Sequence, residues 1–231
     1  SSTAASPSKE QKQGGGQPAA GADKPDDKKD APKEQQAKAE AKMQAAEAEL
    51  FTAPYEALDR IAAGVPAGAR GLLYTPWLFG ERSPVEDAHL RAGLLNLSLE
   101  HSRADIVRAF LEGVALNTRW MLEPFERFVG RAMAPITAVG GGAQSDLWCQ
   151  ILADATGRTV RQPEAPIQAN AMGAGFIAGV GLGALSFDDV PALMTWRREY
   201  EPDRRSRALY DERFGCFKDA YRRLAPLYRR L

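Results

Sequence analysis

Three consecutive glycines, Gly140 to Gly142, separate a short apolar run from an amphipathic stretch in AVGGGAQSDLWCQILADATG, residues 138–157. Ile136 to Val139 reads as a strand. Ser145 to Thr156 reads as a helix, with Leu147, Trp148, Ile151, Leu152 and Ala155 on its apolar side and Gly157 as its stop. A strand that passes into a helix through residues without side chains points to a layered fold of alternating strands and helices. Such a junction offers unpaired N–H groups at the positive end of a helix dipole, and glycine lets a ligand come close to the backbone. The local pattern fits a phosphate cradle or a turn that only solves a packing problem. No Lys-Ser or Lys-Thr follows, so the turn is not a Walker A loop. Asp146 fits a first-turn acid or a group that meets an adenine or ribose edge.

The flanking sequence supports the layered reading. Tyr55 to Ala63 suggests a short helix, Gly71 to Leu78 a strand with Pro76 near its end, and Leu94 to Leu99 a second strand. Ser102, with Asp105 three residues on, has the spacing of a capping box and opens a long helix. Ile106, Phe110, Gly113, Val114, Asn117, Met121 and Leu122 recur along it, Pro124 is expected to bend or restart it, and Gly130 to end it. Thr159 to Gln162 reads as a short strand, Gln168 to Gly183 as a helix of Ala and Gly, and the Arg-rich stretch from Phe187 as helical, punctuated by Pro202 and Pro226.

Residues 1–49 differ in kind. They hold no Val, Ile, Phe, Trp or Tyr, and Met43 is their one large apolar residue. Such a segment cannot bury enough surface to offset its chain entropy, so a disordered tail is expected, flickering as an exposed helix over its Ala/Lys/Glu part. Thirty basic residues balance thirty acidic ones, which gives no broad footprint for nucleic acid. Cys149 and Cys216 lack metal-ligand spacing and read as free thiols of a reducing compartment. No stretch is long and apolar enough to span a membrane, and the N-terminal residues lack the apolar core of a secretory signal. A cytoplasmic chain is the expectation.

Gly173-Ala-Gly175-Phe-Ile-Ala178 matches a relaxed dinucleotide fingerprint but lies inside a helical pattern, where small residues serve close helix packing. Glu81 and Arg82 read as an ion pair that shapes a loop. His89 and His101 have no partner spacing, and Asp154 reads as a helix-surface or interdomain contact. We assign no catalytic residue and no metal ligand.

Four blocks appear in a familiar order: GERSP (80–84), AGLLNLSLEHSRADIVRAFLEG (92–113), GGGAQSDLWCQILADATGRTV (140–160) and QANAMGAGFIAGVGLG (168–183). Together they resemble the C-terminal domain of the FGGY family of carbohydrate kinases, most closely its xylulokinase-like members, over roughly residues 54–231. The resemblance implies an α/β, actin-like or ribonuclease-H-like ATPase domain, one of the two domains of a sugar kinase. It implies ATP or ADP as ligand, with magnesium travelling with the nucleotide. It places the nucleotide against Gly141, Gly142 and Ala143, with Ser145 and Asp146 near the adenosine, so that the glycines clear room for ATP.

Two positions depart from the family pattern: Asn96 stands where a glycine is usual, and Phe110 where a small or β-branched residue is usual. The family's N-terminal domain, with its sugar pocket and the aspartate that serves as base, has no counterpart here. The expectation is therefore a nucleotide-binding half, inactive alone, that meets its sugar only with that other domain. A non-catalytic nucleotide-binding module, a remnant without nucleotide affinity, and a homodimer all stay open.

Overall fold

The computed structural model describes residues 38, 41–42, 44–45 and 53–231. Two units are distinguished, residues 1–45 and 46–231. In the first, Lys38, Ala41, Lys42, Gln44 and Ala45 are helical and exposed; the rest of the expected 1–49 tail lies outside the described residues.

In the second unit, Pro54 opens helix α1 (Pro54–Ala63), where its missing N–H costs nothing. The chain then turns through Ala69–Gly71 into strand β1 (Leu73–Thr75), which pairs antiparallel with β2 (Gly93–Leu95). Both strands are shorter than the apolar runs suggested. Beyond Thr75, Pro76 removes a ladder donor, and beyond Leu95 the chain turns at Asn96 with φ +67°. That angle explains the first departure from the family pattern, since Asn tolerates the left-handed region best after Gly. Its side-chain amide also donates to the Gly71 carbonyl (3.2 Å).

The long helix α2 (Arg103–Val129) begins in a reciprocal capping box between Ser102 and Asp105 and ends at Gly130 in the left-handed conformation. It runs through Pro124, where the sequence suggested a bend or restart; the cost is one lost intrahelical donor. Midway, Gly113 lets α2 press onto β1, because a side chain there would run into the Tyr74 carbonyl. Phe110, the second departure, lies edge-on to the Tyr74 ring at 4.4 Å between centroids, so its bulk is used in packing.

Strand β3 (Ile136–Thr137), helix α3 (Asp146–Thr156) and strand β4 (Val160–Pro163) follow as expected, with β3 and β4 parallel. Helix α4 (Ala169–Gly181) and a single turn α5 (Val190–Leu193) come next. The Arg-rich stretch then departs from its helical reading: Trp196–Tyr200 is strand β5, antiparallel to β4, and only Arg207–Tyr228 is helix, α6. The second sheet is thus ordered β3-β4-β5.

The main core gathers Leu73, Trp77, Leu90, Leu116, Ile151, Tyr210, Phe214 and Phe217, so α2, α3 and α6 close over the β1–β2 pair. A second cluster of Cys149, Ala153, Val160 and Tyr200 seats α3 on β4 and β5. Cys149 and Cys216 are free, and burial pushes the Cys149 thiol up to about 11. The packing expected at Gly173 and Gly175 is absent among the described residues, where α4 buries no residue and open space faces both positions. The close approach comes at Gly179, against Leu185. No helix of the described residues is long and apolar enough to cross a membrane.

Candidate nucleotide site at the glycine turn

Gly140 takes φ +88° and donates its N–H to the Pro166 carbonyl (2.8 Å), which fixes where the chain leaves β3. Gly141–Gln144 then forms one 3₁₀ turn. Ser145 caps α3 by accepting from the Trp148 N–H at 3.0 Å. The N–H groups of Gly141 and Gly142 have no partner among the described residues.

The glycines serve different ends. A Cβ on Gly142 would fall within the indole ring of Trp148, so this residue makes room for a side chain of its own protein. Gly141 faces open space and has no positive φ. Of the adjacent pair, Gly141 is the one whose missing side chain the surrounding protein does not use. Ala143 is buried, and its carbonyl accepts from the Gln162 amide (2.7 Å). The buried indole N–H of Trp148 has no partner among the described residues.

Asp146 is held from β5, the strand the sequence reading missed. The Tyr200 hydroxyl donates to its Oδ1 at 2.9 Å, Arg197 lies 3.4 Å from Oδ1, and Arg198 lies 3.5 Å from Oδ2. Burial, with the Asp146 carboxylate beside it, pushes the Tyr200 phenol well above its usual range, so it remains a donor. Both arginines and the Asp146 carboxylate are about half exposed. A partly solvated carboxylate flanked by two guanidinium groups, a few residues after two backbone N–H groups without a partner among the described residues, suits a ligand carrying both hydroxyls and negative charge. Only the Arg-rich composition hinted at Arg197 and Arg198, and a helical reading of that stretch sent them elsewhere.

The remaining sequence candidates take structural places. Glu81 accepts from the backbone N–H groups of Arg82 (2.8 Å) and Ser83 (3.2 Å) and from the Asn117 amide (2.7 Å). It shapes its loop through those bonds, in place of the expected ion pair with Arg82. His101 Nδ1 accepts from the Ser98 N–H (3.0 Å) at the surface. Asp154 is buried rather than on the helix surface; it accepts from Gln150 and from the Asp203 N–H, both at 2.8 Å, and so anchors the approach to α6. A separate groove of about 750 Å³ opens between α2 and β3, lined by apolar residues such as Met121, Phe125 and Ile136. No residue of the glycine turn reaches it, and its lining has no titratable side chain.

A strand that leads through a glycine turn into a capped helix, in a layered α/β domain, places this chain among the actin-like ATPase folds. The profile for the FGGY family of carbohydrate kinases, C-terminal domain, matches residues 24–182, and the chain belongs to that family. The match begins inside the stretch read as a tail and stops before β5 and α6. A xylulose kinase of Staphylococcus epidermidis is 32% identical over 178 residues, covering 75% of this chain and 35% of that protein. The xylulose kinase of Bacillus subtilis is 38% identical over 134 residues, covering 57% and 26%. The crystal structure of xylulose kinase from Rhodospirillum rubrum superposes with a TM-score of 0.66 at 34% identity, covering 80% of this chain and 37% of that one. The match thus spans about a quarter to just over a third of the length of these relatives.

Proposed function

We propose that residues 54–231 form the nucleotide-binding domain of an ATP-dependent sugar kinase of xylulokinase type, with residues 1–49 as a low-complexity tail. The complete enzyme would transfer the γ-phosphoryl group of ATP to a hydroxyl of a ketose or polyol. The observation that carries this reading is the pair of N–H groups at Gly141 and Gly142, unpartnered among the described residues, beside the open face of Gly141 in the turn that precedes the Ser145 cap of α3. In the proposed complex these donors meet the phosphates, and Asp146 and the Ser145 end of α3 meet the adenosine. Magnesium accompanies the phosphates. The ion is assigned no protein ligand.

Phosphoryl transfer also needs a base to orient the attacking hydroxyl. None is assigned among these 231 residues, and the sugar is assigned to the part of the relatives' length that they do not cover. Pure protein is therefore expected to show no magnesium-dependent phosphorylation of pentuloses, hexuloses or glycerol in a coupled assay. Stoichiometric turnover would overturn that part of the reading.

Nucleotide binding is tested at Gly141. Open space and the absence of a positive φ let Gly141→Val fold normally, while its side chain fills the space assigned to the ligand. ATP affinity measured by calorimetry should fall tenfold or more, about 1.4 kcal/mol. The urea midpoint should stay where it was. A wild-type chain that binds no ATP, or a variant that binds it equally well, would overturn the proposal.

A further inference from the structure

Val160 and Gln162, two residues apart on β4, are both fully buried. Val160 packs against Cys149 and Ala153 of α3, but Gln162 brings an amide into the same protected layer. Its orientation follows from its neighbours. The Ala143 carbonyl can only accept, so Nε2 faces it at 2.7 Å and Oε1 faces the Tyr200 hydroxyl at 2.9 Å. Tyr200 also lies 2.9 Å from Asp146 Oδ1. One phenolic hydrogen serves one of these two acceptors at a time. The second amide hydrogen of Gln162 points at Asp146 Oδ1 over a long 3.5 Å. One continuous chain of bonds therefore links the glycine turn at Ala143, through β4 and β5, to the first residue of α3.

We propose that Gln162 and Tyr200 are positioning residues of the nucleotide site: the Gln162 amide holds the glycine turn by its Ala143 carbonyl, and the Tyr200 hydroxyl holds the Asp146 carboxylate. The inference rests on the nucleotide reading above and divides the site into two separately supported ends. The turn is the phosphate end, and Asp146 the nucleoside end. Removing the Gln162 amide gives up only its long 3.5 Å contact with Asp146 and leaves the Tyr200 hydrogen wholly available to that carboxylate, so the nucleoside end keeps its main support. Removing the Tyr200 hydroxyl leaves the amide on Ala143, so the phosphate end keeps its support. The phosphate end sits on a fully buried amide, where an unmade hydrogen bond is not replaced by water, whereas Asp146 is half exposed and recovers part of a lost bond from solvent, so the smaller effect is expected at the nucleoside end.

The test uses the full chain, titrated with adenosine and with ADP and followed by amide NMR. Variants are Gln162→Met, which nearly keeps the length of the side chain, and Tyr200→Phe, which loses only the hydroxyl. Gln162→Met should weaken ADP at least fivefold, leave adenosine within twofold, and shift or broaden the Gly141 and Gly142 amide signals. Tyr200→Phe should weaken adenosine and ADP by the same factor, threefold or more, with those glycine signals unmoved. A merely structural role would lower both ligands together in both variants, by the unfolded fraction read from urea denaturation, and that parallel loss would overturn the inference. Unchanged affinities in folded variants would do the same while leaving the nucleotide reading intact. A wild-type chain that binds neither ligand would remove the nucleotide reading and this inference with it. Should Gln162→Met not fold, Tyr200→Phe decides alone: ADP weakened with adenosine untouched would contradict the assignment of its hydroxyl to the nucleoside end.

Discussion

Glu112→Ala should lower the unfolding free energy by about 3–5 kcal/mol, the cost of breaking a buried ion pair from one side. Glu112 sits inside α2, 4% exposed, and three donors converge on its Oε1: the Gly68 N–H at 2.9 Å, Arg108 Nε at 2.7 Å and the Tyr210 hydroxyl at 3.0 Å. These donors come from the turn ahead of β1, from α2 itself and from α6, so one carboxylate oxygen ties three segments together. Alanine leaves the Arg108 guanidinium buried at 7% exposure, with only a long bond to the Tyr210 oxygen (3.3 Å). Domains of this kind have about 5–15 kcal/mol in total, so the loss is a large share of the stability. Urea denaturation followed by circular dichroism measures the loss. Replacing both partners, Arg108→Met with Glu112→Leu, should recover much of it, because no charge is then stranded. A loss under about 1 kcal/mol for Glu112→Ala would show that the pair contributes no more than a surface bridge.

Gly142→Val is expected to cost about 3 kcal/mol, the upper part of the usual range for overpacking. The added side chain and the indole of Trp148 cannot occupy the same space, and the Ser145 cap holds the Trp148 backbone in the first turn of α3. Trp148 also packs against the main core, so displacing it disturbs more than the turn. Lower urea resistance should come with a red-shifted tryptophan emission as the indole moves toward water. Nucleotide affinity should fall as well, because the turn moves with the ring. The contrast with Gly141→Val separates the two roles, since the neighbouring variant is expected to lose affinity and keep its stability. Trp148→Ala in the Gly142→Val background should relieve the clash. If Gly142→Val keeps the wild-type denaturation midpoint, the indole is not what this glycine serves.

The parts of the fold that could be read from the sequence are those set by local chemistry. The capping box of α2 uses residues three apart, and α3 is bounded by its own cap at Ser145 and its own left-handed stop at Gly157. Strand β5 could not be read this way. In Trp196–Tyr200 every side chain except Tyr200 is exposed, so no alternation of apolar and polar residues marks it. Its state is decided by pairing with β4, a tertiary fact. The same limit hid the support of the site. Gln162 and Tyr200 belong to different strands, and neither residue type signals burial. Arg108 and Glu112 were hidden for the opposite reason: at i and i+4 they look like an exposed surface pair, yet the turn at Gly68 and Tyr210 cover them. The glycine turn itself was visible, but the division of labour between Gly141 and Gly142 was not, because it depends on where one indole ring comes to rest.

Helix α6 bears on how the chain comes to be made. It supplies Tyr210 to the carboxylate of Glu112, 98 residues earlier, and brings Phe214 and Phe217 to the buried core around Trp77. During synthesis α2 emerges long before α6, and until then the Arg108–Glu112 pair and the indole of Trp77 stand open to water and to other chains. The hydrogen bonds within α2 can form early, but its charged pair is enclosed only when α6 arrives. Between the emergence of α2 and that of α6 the nascent chain therefore carries this charged pair uncovered, which is the interval in which a holding chaperone would matter most.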